Sequence, residues 1–172
     1  MEDLIYPALF VIAGFVAILS HEMGHALVGR KLGGGQQTIV LELFGGLTSS
    51  HGMQLTRGGR ALMILAGPMM TLLLGIISLW LTWNIVAPVM TSYNLNFWDL
   101  AISPFTAALI SPKLYILSCL IMIGEWWTIL NLLPIYPLDG GQLIAQYIRS
   151  PRKVFMLSLI HISEPTRPIS IS

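Results

Sequence analysis

The chain has 172 residues, of which 55% are hydrophobic and only 10% charged, with nine Lys or Arg against eight Asp or Glu. An ordinary soluble domain has about a quarter of its residues charged, so this chain cannot clothe a water-facing globule, and its mean hydropathy of +0.75 marks a membrane protein. A net charge of +1 provides no basic field for nucleic acid, and the single Cys119 excludes a disulfide framework or a multi-cysteine metal site.

Crossing a hydrocarbon core of ~30 Å takes about 20 largely apolar residues as helix. Three stretches reach that length: residues 4–29, residues 61–89 and residues 114–138. The first is not a cleaved leader, because its flank Met1-Glu2-Asp3 is acidic and its apolar run exceeds the roughly 7–15 residues of a signal core. The expected fold class is an all-α polytopic membrane protein with three core transmembrane helices, the third broken at its end.

After the first span, Gly33-Gly34-Gly35 predicts a helix stop, since glycine readily takes the left-handed conformation there. Residues 37–43 are β-branched and aliphatic, Gly45-Gly46 follows, and residues 47–56 are polar with scattered apolar positions. Two extended runs around a glycine pair predict a small β-hairpin in this first loop. The second loop carries Pro88, Pro104 and Pro112 with Phe97, Trp98 and Asp99, and predicts an interfacial segment with one short helix over residues 97–110.

Lys and Arg set the expected orientation. The first loop holds Arg30, Lys31, Arg57 and Arg60 against Glu42, the second only Asp99 and Lys113, and Arg149, Arg152 and Lys153 follow the third span. The expectation is an outside N-terminus, a cytoplasmic first loop and C-terminal segment, and an outside second loop. Residues 157–172, beginning Leu157-Ser158-Leu159-Ile160-His161, resemble translated adapter sequence from library preparation. The membrane domain is therefore expected to occupy residues 1–156, and His161 is not counted as a ligand.

The chemistry begins at Ser20-His21-Glu22-Met23-Gly24-His25. Histidines four apart on a helix lie about 40° apart around its axis, so both rings can reach one ion. Glu22, beside them, can take a proton from water held on that ion. A charged side chain at mid-span costs about 2.5–3.5 kcal/mol, less near an interface, and a divalent cation compensates it. A catalytic zinc site ordinarily has three protein ligands and a water. Candidates for the third are Glu125, Asp139, His51, Asp99, Glu42 and the terminal acids Glu2 and Asp3. Asp99 falls on the opposite side of the membrane in the expected topology. Asp139 falls on the same side, within Asn131-Leu132-Leu133-Pro134-Ile135-Tyr136-Pro137-Leu138-Asp139-Gly140-Gly141. Its prolines break a helix and its glycines permit a sharp turn, and broken backbone at membrane depth is tolerated where it lines a cavity or is buried in protein.

His21-Glu22-Met23-Gly24-His25 and the segment from Asn131 to Gly141 together resemble the site-2 protease family of intramembrane zinc metalloproteases. Phe44-Gly45-Gly46 resembles that family's Gly-Gly loop, and Ala66-Gly67-Pro68-Met69-Met70-Thr71 its Ala-Gly-Pro motif, with Thr71 where members often have Asn or Ser. The resemblance implies His21, His25 and Asp139 as ligands of one Zn2+ per chain and Glu22 as general base. It also implies single-pass membrane-protein substrates cleaved within the lipid bilayer, with Asn131 holding substrate or the developing oxyanion. A helix-packing amide is the other reading of Asn131. The hairpin at Gly45 and Gly46 is read as a strand edge for unwound substrate.

A non-proteolytic membrane metal-binding or adaptor protein on the same fold is the alternative, and Glu22 argues against it because pure binding does not need that carboxylate. Glu125, beside Trp126 and Trp127, is the one acid in the third span and reads as neutral by burial, paired to a neighbouring helix, or serving water entry. His51 reads as a solvated loop residue, the nine Met as apolar fill and Cys119 as a small buried hydrophobe.

Overall fold

The computed structural model describes residues 4–33, 35–42, 45–51, 55–93 and 96–147. The chain divides into two compact units, Met1–Leu130 and Asn131–Ser172. In chain order the elements are α1 (Ile5–Gly33), β1 (Gln36–Glu42), β2 (Gly45–His51), α2 (Arg57–Tyr93), α3 (Phe97–Ile102), α4 (Pro104–Ala108), α5 (Pro112–Asn131) and α6 (Asp139–Ala145). Among the described residues, three helical segments are long and apolar enough to cross a membrane: Ile5–Gly33, Arg57–Ala87 and Pro112–Asn131. The protein is an all-α membrane protein of the expected class.

Helix α1 ends as its glycines predict. Arg30 and Lys31 occupy its last turn, where cations complement the negative end of the helix dipole, and Gly35 takes a φ of 80°. The chain then forms an antiparallel hairpin whose register runs from Gln36 opposite His51 to Glu42 opposite Gly45. The hairpin is where the sequence places it, but the glycine pair is not its turn. Gly45 and Gly46 belong to β2, paired with Glu42 and Leu41.

The expected single helix over residues 97–110 is instead two. Ser103 is extended (φ −115°, ψ 100°) between α3 and α4, because the ring of Pro104 disfavours helical backbone in the residue before it. The Ser103 hydroxyl then caps α4 by accepting from the Thr106 amide at 3.3 Å. This segment packs against the spans through a buried cluster of Val86, Leu100, Ala107 and Leu114. The Ser118 hydroxyl of α5 donates to the Ala101 carbonyl at 3.0 Å, and the Tyr6 hydroxyl of α1 donates to the Ala108 carbonyl at 2.9 Å. Outward-facing Val11, Phe15, Leu73 and Ile76 are exposed, as lipid-facing side chains are.

The second unit begins where α5 stops. The third span ends at Asn131, seven residues before the apolar run that suggested it, because Pro134 disfavours helix at Leu133 and cannot itself donate to the ladder. Local bonds replace the helix: the Ile135 amide donates to the Leu133 carbonyl at 2.8 Å and the Leu138 amide to the Ile135 carbonyl at 2.9 Å. The Tyr136–Pro137 peptide is cis. Helix α6 then starts at Asp139, and the side-chain amide of Gln142 donates to the Pro137 carbonyl at 2.8 Å. Residues 148–172, with the expected domain end at Met156, lie outside the described residues.

Candidate metal centre

Sixteen residues into α1 the helix turns inward the face that carries His21, Glu22, Gly24 and His25, all buried. The histidines, one turn apart, set their rings edge to face with centroids 4.7 Å apart. Their Nε2 atoms face each other at 3.1 Å. Two nitrogens on one tetrahedral zinc at bonds of about 2.0–2.1 Å would be about 3.3 Å apart, so the pair already has nearly the spacing of two ligands. With a carboxylate oxygen of Glu22, the ligand atoms all lie within 4.8 Å of one another.

A backbone group fixes the tautomer of His25. Its Nδ1 lies 2.8 Å from the Met63 carbonyl. A carbonyl only accepts, so Nδ1 carries the proton and donates, leaving the lone pair on Nε2, the nitrogen that faces His21. Orientation of a ligand histidine through its other nitrogen is the usual support of a metal site.

Helix α2 supplies the floor. A Cβ placed on Gly67 would collide with Nε2 and Cε1 of His25 and would stand 2.8 Å from Nε2 of His21. Any other residue there would fill the space beside both Nε2 atoms. Gly24, inside the His-Glu-Met-Gly-His run, has its own reason: a Cβ there would strike the carbonyl of Ala66. The two glycines let α1 and α2 approach backbone to backbone. Pro68 follows, and the Thr71 hydroxyl donates to the Pro68 carbonyl at 2.9 Å while meeting the Thr128 hydroxyl of α5 at 2.8 Å.

The sequence candidates are thus distributed as follows. His21, Glu22 and His25 come together. Asp139 and Asn131 belong to the second unit, where Asp139 is the buried first residue of α6 and Asn131 the last of α5. A Cβ on Gly140 would meet the carbonyls of Leu132 and Leu133, and one on Gly141 the backbone of Ile135 and Tyr136. These glycines press α6 onto the preceding turn, which fixes where the Asp139 backbone stands. Gly45 and Gly46 open β2, Glu42 ends β1, His51 ends β2 and Asp99 lies in the first turn of α3. Glu125 is exposed on α5, not buried, and Glu2 and Asp3 lie outside the described residues. The roles of the Met63 carbonyl and of the Thr71–Thr128 pair were missed in the sequence. A carbonyl acceptor has no residue signature, whereas the threonine in the Ala-Gly-Pro motif was a visible departure.

Comparison with known proteins shows the family. Residues 9–158 match peptidase family M50. A zinc metalloprotease of Methanocaldococcus jannaschii is 30% identical over 145 residues, which are 84% of this chain and 35% of that protein. The solved structure of a site-2 protease from Methanocaldococcus jannaschii superposes with a TM-score of 0.56 at 25% identity, over 87% of this chain and 59% of that one. The chain spans about a third of the length of the curated relatives it matches.

Proposed function

The chain belongs to peptidase family M50, the site-2 proteases, and on that premise we propose that it is the zinc-binding core of an intramembrane endopeptidase. His21 and His25 would hold one Zn2+ through Nε2, with Asp139 as third ligand and Glu22 as general base. The observation that carries the reading is the pair of Nε2 atoms 3.1 Å apart above a glycine that leaves room beside both. When bound, zinc supplies Lewis-acid polarisation of the scissile carbonyl and lowers the pKa of water from about 15.7 toward 7.

The chain's own residues do the rest. The Met63 carbonyl holds the proton of His25 on Nδ1, so that ring cannot turn its protonated face to the ion. Glu22, buried on the same helix face, accepts the proton of the attacking water at a carboxylate oxygen and passes it to the leaving amine nitrogen. Asn131 would donate its side-chain amide to the substrate carbonyl. Each strand of the two-stranded hairpin has one edge unpaired in that sheet, and an unwound substrate segment would add there by main-chain hydrogen bonds. The substrates would be single-pass membrane proteins, and the orientation would be N-terminus outside with the hairpin loop and the C-terminal segment cytoplasmic.

The decisive test is Glu22→Gln in the full chain, read against a reporter transmembrane substrate with zinc content measured alongside. Zinc should remain near one per chain while cleavage falls by about 10²–10⁴-fold, the usual contribution of a general base. Cleavage at the unmutated rate would remove Glu22 as base. A metal-binding adaptor would show no metal-dependent cleavage even without the substitution.

A further inference from the structure

Glu125 is the one acid of α5 and its side chain is exposed. Its depth can be read from its neighbour. A Cβ on Gly124 would stand 3.2 Å from the Thr71 carbonyl oxygen and 3.9 Å from the Gly75 amide nitrogen. Gly75 is the middle of the uncharged run over residues 61–89. Glu125 therefore leaves α5 near the level of the middle of that run, about 100° around the helix from the residue that faces α2. Reaching water by its own length is not available to it. The Cα–Cβ bond of a helical residue tilts toward the helix N-terminus, which here is away from the nearer end of α5 at Asn131. Among the described residues Glu125 has no hydrogen-bond or ion-pair partner.

Its surroundings describe what would satisfy it. Trp126, 63% exposed, and Ile129, 55% exposed, extend the same outward face. Tryptophan in membrane helices concentrates at the water interfaces rather than at mid-depth, so an outward indole beside the carboxylate is itself out of its usual place. A carboxylate beside an aromatic face is a receptor for a cation, which pairs with the one and lies over the other. Intramembrane ionisable groups ordinarily pair with one another. We infer that the Glu125–Trp126 face of α5 docks a transmembrane helix of another protein that carries Arg or Lys near its middle.

A second copy of this chain does not fit. Its described cations, Arg30, Lys31, Arg57, Arg60 and Lys113, stand at the ends of the spans, and pairing this face with itself would oppose two carboxylates. The surface is separate from the zinc chemistry, and its failure would leave the protease reading untouched.

The test uses the full chain in phosphatidylcholine vesicles with fluorescent Leu/Ala helices of about 23 residues, long enough to span, carrying a central Arg, Leu or Glu. Energy transfer should show the Arg helix binding about tenfold tighter than the Leu helix, the scale of a polar contact between membrane helices. Glu125→Leu should abolish that difference, and Glu125→Lys should transfer the preference to the Glu helix. Zinc content and helical circular dichroism should match the unmutated chain in both variants, and Glu125→Gln, sterically closest to the original, should also lose most of the preference. Equal binding of Arg and Leu helices to the unmutated chain, or an Arg preference that survives Glu125→Leu, overturns the proposal. So does a Glu125-dependent association between copies of the chain that the Arg helix does not displace.

Discussion

Two stretches of this protein bury ionisable side chains, and they do so by opposite means. In α1 the backbone stays helical, and the positions of His21 and His25 follow from residue spacing alone, with Gly24 and Gly67 admitting the neighbouring helix. Around Asp139 the helix is abandoned. Prolines at 134 and 137 end the ladder, short local hydrogen bonds replace it, and Gly140 and Gly141 let α6 sit against the carbonyls of the turn. A periodic scaffold makes the site readable from spacing. An aperiodic one delivers a carboxylate just as buried, yet its position depends on backbone contacts that no period announces. In both, the glycines are required by what they touch.

That parity is open to a direct test. The largest effect should come from Gly67→Ala, whose methyl would occupy the space between the two Nε2 atoms. Ring tips can yield where backbone cannot, so the fold should persist while zinc affinity falls by about 100-fold, the upper range for disturbed support of a metal ligand. Gly75→Ala, in the same helix with nothing within 4 Å of the added methyl, is the control and should bind zinc normally. Normal zinc affinity in the Gly67 variant would show that the floor is not what shapes the site.

The aperiodic stretch should respond differently. Gly141→Ala places its methyl against the backbone of Ile135 and Tyr136, which cannot rotate aside. Overpacking of this kind costs about 1–3 kcal/mol, occasionally more. Destabilisation should appear in detergent unfolding and in raised amide exchange over residues 132–145. The His21–His25 spacing, measured by the affinity of the pair for a probe metal such as Co2+, would discriminate a local loss from a general one. Unchanged stability would mean that the turn adapts freely and that Gly140-Gly141 is not fixed by packing.

How much of this was legible follows the same division. The apolar runs at 61–89 and in residues 4–29 and the four-residue histidine spacing were sufficient for two spans and for one buried histidine pair, since burial on a helix repeats with its period. The end of the third span was not legible from hydropathy, because residues 132–138 remain apolar after the helix has stopped, and only Pro134 marks the change. The same rule, applied at Pro104, would have divided the outer helix at Ser103. The hairpin's existence was visible in its β-branched strand, but its register was not, because Gly45-Gly46 invites assignment to a turn while pairing with Glu42 and Leu41 in the ladder. The exposure of Glu125 was the opposite of one expectation, since burial of a helix face depends on which neighbours are present.

The smallest effect we predict concerns the link between α2 and α5. The Thr71 hydroxyl donates to the Pro68 carbonyl and meets the Thr128 hydroxyl at 2.8 Å. Two hydroxyls bring two protons, and Thr71 spends its own on the carbonyl, so Thr128 is the donor between them. Thr71→Val deletes an acceptor and leaves Thr128 with only the Pro68 carbonyl, 3.4 Å away. Interhelical hydrogen bonds in membranes average about 0.6 kcal/mol and reach about 1.7, so each single valine should cost about 1 kcal/mol. Replacing both partners removes both unsatisfied groups, so the double variant should cost less than the sum, with a coupling near 0.6 kcal/mol. Thr71→Ser retains the hydroxyl and should recover most of the loss. Strict additivity in reversible detergent unfolding would mean that the two hydroxyls contribute nothing through each other. In that case the close approach of α5 to α2 at Gly124, and not the hydroxyl pair, is what holds the two helices together there.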